Sequence, residues 1–257
     1  MKAFSFLAAL TRFLMTMGLL MGTAQAADLS VLSSLATKEV YPELVARFEK
    51  ESGHKVSTAW AGTVEITKRV QAGAGVDVVI VGGDTLETFI DSGKIVAGSR
   101  VDIARSGVGV AVKAGAPRPD ISSVDALKRA LAAAKTVGIS TGPSGVYLNS
   151  LFQKLGMQEQ LKAKLRVAPS GTPVGDLVVK GEAEIGFQQV SELVHFKGVQ
   201  FVGPLPAEVQ RMTVFAGGVH LASQEPDAAR ALLRFLARAE HAQTLKQYGL
   251  EPGASPH

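Results

Sequence analysis

The stretch HKVSTAWAGTVEITKRVQAGAGVDVVIVGG, residues 54–83, contains a strand, a helix and a second strand in that order. The helix, residues 63–73, carries apolar residues at helical spacing and ends at Gly73, a common helix terminator. The second strand, residues 76–83, is an unbroken apolar run, which is typical of a parallel strand buried on both faces. Since a crossover helix joins parallel strands, this stretch predicts an α/β protein.

The alternation of strands and helices continues on both sides of this unit. Further strands are predicted at 29–34, 107–116, 136–140, 182–189, 199–206 and 211–220, and further helices include 37–51, 84–93, 123–135, 145–156 and 225–249. We therefore expect an α/β fold with mainly parallel sheets flanked by helices. Asp84 is expected to cap the helix that it begins, and the tail EPGASPH is expected to be disordered.

The first 26 residues have the layout of a secretory signal peptide. Lys2 precedes an apolar stretch whose compact run extends from Phe13 to Met21, and Ala24-Gln25-Ala26 is a small-x-small cleavage site. The run is too short for a membrane span, which needs about 18 apolar residues. We therefore predict a soluble product, exported to the periplasm after cleavage behind Ala26.

The composition of the chain excludes several kinds of binding partner. The chain has 257 residues, of which 46% are hydrophobic and 19% charged, as in a folded globular protein. It has 27 Lys and Arg residues, including Lys2 and Arg12 of the predicted signal peptide, against 23 Asp and Glu residues. That balance argues against nucleic acid and membrane surfaces as partners. The chain has no cysteine, and its five histidines lack zinc-site spacing, so we expect no metal and no cofactor.

Small hydroxyl residues and glycines follow four of the predicted strands. These turns are Ser33-Ser34, Gly62-Thr63, Pro143-Ser144-Gly145 and Ser170-Gly171-Thr172-Pro173. In open parallel sheets, ligands bind beyond the carboxyl ends of the strands, where helix N-termini supply unpaired N–H donors. Taken together, the turns predict a site for a small anion held without a formal charge. Taken singly, each turn is an ordinary helix cap, with Ser144 as the N-cap of its helix.

Four segments carry a resemblance to a known family: FEKESGHKV (48–56), GTVEITKRVQAGAGVDVVIVGG (62–83), PSGVYLNSLFQKLGM (143–157) and GEAEIGF (181–187). They resemble the molybdate-binding periplasmic receptors, the ModA-like branch of the type 2 solute-binding proteins. The resemblance covers roughly residues 28–250. It implies two α/β lobes that close on a ligand: lobe 1 from residues 27–105 plus 213–257, and lobe 2 from residues 106–212.

The same resemblance implies which residues contact the ligand. The matching positions are Ser33 or Ser34, Thr63, the backbone of Ser144, Gly145 and Val146, and the segment Thr172, Pro173 and Val174. Where molybdate receptors have a tyrosine, this chain has Gln188-Gln189, which we add to the ligand-binding candidates. An amide offers both a donor and an acceptor, whereas a phenol offers one hydroxyl, so this difference favours a planar or organic anion over tetrahedral molybdate or tungstate.

A resemblance to a subfamily that includes periplasmic aconitate isomerases is carried by three further segments: 98–122, QQVSEL (188–193) and VQFVGPLP (199–206). Two functions therefore remain open. The first, which we favour, is a monomeric receptor that holds a small anion for a membrane ABC permease. The second is an isomerase, which needs a base and cationic partners for carboxylates. Spacing assigns no catalytic residue, and the conceivable cations are Lys38, Lys68, Arg69, Arg105, His195 and Arg211.

Overall fold

A computed structural model describes residues 26–253 of the chain. The predicted signal peptide, residues 1–26, lies outside the described residues except for Ala26. Within residues 26–253, no helix combines the length and the apolar character that crossing a membrane requires.

Two separate sheets, each flanked by helices, organise the described chain. The first has the spatial order β11-β4-β10-β3-β1-β2, built from β1 (Asp28–Ser34), β2 (Lys55–Ala61), β3 (Val78–Gly82), β4 (Val101–Ser106), β10 (Thr213–Val219) and β11 (Glu251–Pro252). The second has the order β7-β6-β8-β5-β9, built from β5 (Val108–Lys113), β6 (Val137–Ile139), β7 (Leu165–Val167), β8 (Ile185–Gln189) and β9 (Val199–Pro204). The predicted two-lobed α/β fold is confirmed.

Ten helices in the described part of the chain connect these strands. They are α1 (Tyr41–Ser52), α2 (Thr63–Gln71), α3 (Gly83–Asp91), α4 (Val124–Ala133), α5 (Pro143–Lys154), α6 (Gln158–Lys162), α7 (Val174–Lys180), α8 (Val190–Leu193), α9 (Pro226–Leu236) and α10 (Ala242–Gln247). Short 3-10 turns occupy Leu35–Thr37, Ala207–Val209 and Ala239–His241. Strand β3 is buried along its whole length, as its unbroken apolar run predicts.

Each sheet is mixed, and the reason lies in how the chain passes between the sheets. Strand β1 pairs in parallel with β2 and β3, and β6 pairs in parallel with β7 and β8. Strand β10 is antiparallel to β3 and β4, and β5 is antiparallel to β8 and β9. Strands β5 and β10 each follow a crossover from the other sheet, so they start at the edge where the parallel strands end and run the opposite way.

Three local predictions are wrong. Asp84 lies inside the first turn of α3, whose N-cap is Gly82. The tail is not disordered throughout, because its first two residues form β11 and pair with β4. The predicted helix at 225–249 is two helices, α9 and α10, separated by a 3-10 turn.

His241 is a buried histidine without a hydrogen-bond partner in the described structure. Its side chain is 1% exposed, its ring centroid lies 4.9 Å from that of Phe235, and neither ring nitrogen is paired. Burial lowers the pKa of His241 below its usual value. His220 is buried as well, and burial likewise lowers its pKa.

We expect the free energy of unfolding to fall as the pH drops below about 6.5, the ordinary histidine pKa. The unfolded chain takes up protons at that pH, whereas the folded chain keeps both rings neutral until the pH reaches their lowered pKa values. Urea unfolding of His241→Phe should show a weaker loss of stability between pH 7 and pH 5 than the wild-type chain. His195→Gln, which changes an exposed ring, is the control. An unchanged pH profile in His241→Phe would contradict this account.

The two lobes touch where two turns meet. A Cβ atom on Gly62, which follows β2, would lie 2.6 Å from the Gly171 nitrogen and 2.8 Å from the Ser170 Oγ, both of which follow β7. Gly62 has φ −75°, a value that any residue adopts. The close approach of the two turns, and not the backbone conformation, therefore requires glycine at this position.

We expect Gly62→Ala to fold normally but to hold the lobes apart, because the added methyl group cannot fit against Gly171. Small-angle X-ray scattering should give a larger radius of gyration for this variant than for the wild-type chain. Gly75→Ala is the matched control, since a Cβ at that position meets nothing within 4 Å. If Gly62→Ala and Gly75→Ala have the same radius of gyration, the two turns accommodate the added methyl group without moving the lobes apart, and the prediction is wrong.

Candidate functional site

The turns that follow β1, β2, β6 and β7 converge with α8 on a cavity of about 40 Å³, which we call the first cavity. By the space that one water molecule requires, this volume holds about three waters, comparable to a carboxylate group or a small oxyanion. Its walls come from both lobes: Ser34, Leu35, Ala36, Gly62, Thr63 and Phe215 from the first, and Ser140, Thr141, Gly142, Pro143, Ser144, Pro169, Gly171, Thr172, Gln188, Gln189 and Glu192 from the second.

Two helices begin at this cavity. Helix α2 begins at Thr63, and α5 begins at Pro143. The first-turn N–H groups of a helix have no partner inside the helix and carry a partial positive charge. Because Pro143 has no N–H, the first donors of α5 are the amides of Ser144 and Gly145. The cavity thus combines two helix starts, which is the environment that favours an anion.

Hydroxyl groups from both lobes line the same space. Ser34 caps the 3-10 turn after β1, where its Oγ lies 3.4 Å from the Ala36 nitrogen. Ser144 does not act as an N-cap, so that alternative is wrong: Gly142 holds the cap position, and the Ser144 Oγ lies 3.0 Å from the Ser140 Oγ. A hydroxyl has one donor and two acceptor sites, so these side chains keep capacity for a ligand.

Gln188 has both ends of its amide engaged within the protein. Its Oε1 accepts a 2.7 Å hydrogen bond from the Val174 N–H, and its Nε2 donates a 2.7 Å hydrogen bond to the Glu192 Oε1. The side chain is 3% exposed. Gln188 therefore joins the start of α7 to Glu192, and its contribution to the cavity is to position these two elements.

Glu192 is the titratable residue among those that line the first cavity in the described structure. Burial raises its pKa to about 8, and the hydrogen bond from Gln188 acts in the opposite direction. The carboxyl group is therefore largely protonated at neutral pH, when it can donate a hydrogen bond to an anion. Sequence reasoning missed Glu192. No local pattern signals it, because Gln188 lies in β8 and Glu192 in α8, and folding alone brings the two side chains together.

Gln189 supports the crossover between the lobes. Its amide lies 3.0 Å from the Thr213 Oγ1, and the orientation that satisfies both ends has its nitrogen donating to the main-chain oxygens of Ser106 and Gly107 at 2.9 and 3.2 Å. Ser106 and Gly107 join β4 to β5, and Thr213 begins β10. Gln189 thus ties together two of the segments that pass between the sheets.

Some of the residues predicted from sequence do not line the first cavity. Ser33 is fully buried, and its hydroxyl lies 3.0 Å from that of Thr37. Gly145 packs against the Ser140 carbonyl so closely that a Cβ would lie 1.7 Å from that oxygen. Its side-chain position is therefore closed, and only its amide is a potential donor.

Of the other predicted ligand contacts, some line the first cavity and some do not. Thr172 lines the first cavity, whereas Pro173 is the N-cap of α7 and lies outside the lining. Val146 uses its N–H for a 3.1 Å hydrogen bond to the Gly142 carbonyl. Its side chain is 65% exposed and lines a neighbouring cavity instead.

Of the six conceivable cations, only Arg211 lines either of these two cavities in the described structure. Arg69 pairs with Glu65 at 2.7 Å, Arg105 pairs with Glu251 at 2.8 Å, and the exposed His195 has its Nε2 2.8 Å from the Gln247 carbonyl. No Lys or Arg lines the first cavity, and residues 26–253 contain no group of three or more His, Asp and Glu that could hold a metal ion.

Comparison with curated proteins finds relatives over most of the chain. An aconitate isomerase from a Pseudomonas species is 39% identical over 230 residues, which cover 87% of this chain and 87% of the relative. The molybdate-binding protein ModA of Azotobacter vinelandii is 28% identical over 239 residues, which cover 90% of this chain and 93% of the relative.

Solved structures share the fold. The periplasmic molybdate-binding protein of Azotobacter vinelandii superposes with a TM-score of 0.74 at 19% identity, covering 89% of this chain and 100% of that one. The sequence itself matches the family described as bacterial extracellular solute-binding protein over residues 29–251. The chain therefore belongs to the bacterial extracellular solute-binding protein family.

Proposed function

We propose that this chain is a periplasmic receptor whose first cavity holds a small anion and delivers it, as a monomer, to a membrane ABC permease. The observation that carries the proposal is the lining of the first cavity. Two helix starts and several hydroxyl groups meet there, and none of the described lining residues is a Lys or Arg. Hydrogen bonds and helix dipoles alone suffice to hold an anion in such a site.

The protonation of Glu192 is compatible with this role. A charged carboxylate in the cavity would repel an anion, but burial raises the pKa of Glu192 to about 8. Below that pH the neutral acid adds one more hydrogen-bond donor. The family and the molybdate-binding relatives support transport as the purpose of such a site.

We further propose that the lobes comprise residues 27–105 plus 213–257 and residues 106–212. Membership of the sheets supports these bounds, since β1 to β4, β10 and β11 form the first sheet and β5 to β9 form the second. The ligand then lies between the lobes and is enclosed by hinge closure.

A second candidate function is an isomerase that acts in the same cavity. Two observations favour it: the 39% identity to an aconitate isomerase and the position of Glu192 on the cavity wall. A general base works best when its pKa lies near the operating pH, and the pKa of Glu192 is about 8.

The reaction would be a proton shift along the three-carbon backbone of aconitate. The Glu192 carboxylate takes a proton from the methylene carbon, and the electrons of that C–H bond form a new double bond while the old one delocalises its electrons onto the adjacent carboxylate. The protonated Glu192 then returns the proton to the former vinyl carbon. The N–H and hydroxyl donors stabilise the charge that develops on the carboxylate.

We expect Thr63→Ala and Ser144→Ala each to weaken anion binding by about 1.5–3 kcal/mol, the range for a hydrogen bond to a charged group. Isothermal titration calorimetry with molybdate, sulfate, citrate and trans-aconitate measures the affinity. Thr88→Ala and Ser92→Ala are matched controls, since their hydroxyls bond to backbone carbonyls within α3 and at its end, outside the cavity. Normal binding by both cavity variants would place the ligand elsewhere.

We expect Glu192→Gln to separate the two candidate functions. If the chain is an isomerase, interconversion of cis- and trans-aconitate, followed by proton NMR, should rise with pH around pH 8 and fall by about 10²-fold or more in the variant. Binding should survive, because the amide is as neutral as the protonated acid. Binding without turnover in the wild-type chain would leave the receptor as the function.

A further inference from the structure

A second, larger cavity adjoins the first. Its volume is about 320 Å³, and it shares with the first cavity the wall formed by Thr63, Thr141, Gly142 and Pro143. The remaining lining comes from the start of α3, from one face of α5, from Arg100 just before β4, and from residues 211–214, which include the start of β10. The two cavities are therefore neighbouring compartments of one inter-lobe space.

The compartments differ in charge. The first cavity has no Lys or Arg among its described lining residues, whereas the second has Arg100 and Arg211. The guanidinium of Arg100 already forms two ion pairs, since its Nε lies 2.8 Å from Asp102 and its Nη1 pairs with Glu87. A Cβ on Gly83 would lie 2.9 Å from the Arg100 Nη2, so the third nitrogen of the guanidinium faces the backbone of α3.

Arg211 is held more loosely. Its Nη2 lies 3.4 Å from the Asp84 Oδ2, and the two side chains are 57% and 96% exposed. An exposed pair at this distance contributes little, and a guanidinium has five N–H donors, so Arg211 can accept a second, bidentate carboxylate partner. Its Cζ lies 5.8 Å from the centroid of Tyr147, whose hydroxyl donates a 2.6 Å hydrogen bond to the Val209 carbonyl. The fixed ring gives the guanidinium a preferred position at the cavity wall.

We propose that the two cavities together form one binding site for an organic anion with two or more carboxylate groups. One carboxylate occupies the first cavity on neutral donors, and another pairs with Arg211 in the second. This inference rests on the proposed function, namely that the first cavity binds an anion. A small oxyanion fills only the first cavity and does not reach Arg211.

Calorimetry on the purified chain tests the inference with two probes. Propane-1,2,3-tricarboxylate is the large probe, chosen because it has no double bond to move, and molybdate is the small one. Arg211→Gln should weaken binding of the tricarboxylate by about tenfold or more, the scale of a lost charge-assisted contact. Binding of molybdate should change less than about twofold, within the small effect of an exposed charge. Arg69→Gln, which removes an exposed arginine that lines neither cavity, should leave both affinities unchanged.

A second variant distinguishes ligand contact from a structural ion pair. Asp84→Asn removes the carboxylate that competes for Arg211, so it should strengthen tricarboxylate binding. If the Arg211–Asp84 pair served only to hold the lobes, both substitutions would weaken binding alike, and the inference would be wrong.

The failure of the inference differs from the failure of the proposed function. The inference is wrong if the chain binds molybdate but not the tricarboxylate, or if Arg211→Gln leaves the affinity for the tricarboxylate unchanged. In either case the proposed anion site in the first cavity stands. If neither probe nor any anion of the wider screen binds, the proposed function fails, and the inference fails with it.

Discussion

The parallel pairing of β1 with β2 and β3, and of β6 with β7 and β8, determines where everything else lies. Parallel strands end at one edge of their sheet, so the turns that follow them gather there. In each lobe that edge faces the other lobe. The crossover strands β5 and β10 start from the same edge and therefore run antiparallel to their neighbours. One constraint on strand direction thus produces the mixed sheets, the contact between Gly62 and Gly171, and the first cavity.

The electrostatic character of the first cavity follows from the same arrangement. Among the described lining residues, the turns after the strands place backbone amides, hydroxyls and glycines at the cavity, but no long charged side chain. Glu192, which lies in α8, is the titratable side chain among the described lining residues, and desolvation raises its pKa. No Lys or Arg among the described lining residues offsets this effect, and the hydrogen bond from Gln188, which lowers the pKa, is the smaller of the two causes. The one acid among the described lining residues is therefore a hydrogen-bond donor when protonated and a base when ionised.

The sequence predicts features that depend on local patterns of residues. It does not predict features that depend on contacts between distant parts of the chain. The α/β class and the small-residue turns could be read from apolar runs and from Gly62-Thr63 or Ser144-Gly145, because period and turn chemistry are local. The pattern does not reveal strand β4, because its sequence, VDIARS (Val101–Ser106), has neither a long apolar run nor a strict apolar–polar alternation. The hydrogen bonds of Gln188 with Val174 and Glu192 cannot be predicted from sequence either, because they join three elements that only folding brings together.

Gln188 lies where the resemblance to molybdate receptors implies a tyrosine, and its hydrogen bonds show what the glutamine does instead. A glutamine that faced the ligand would offer an extra donor, but here both ends of its amide are satisfied within the protein. What Gln188 supplies instead is a fixed Glu192, so the substitution exchanges a phenol for a carboxyl group held at the cavity wall. A carboxyl group titrates near neutrality in this setting, whereas a phenol ordinarily titrates near pH 10. In the two proposed functions, the neutral Glu192 donates a hydrogen bond to an anion, whereas the ionised Glu192 takes a proton from the substrate.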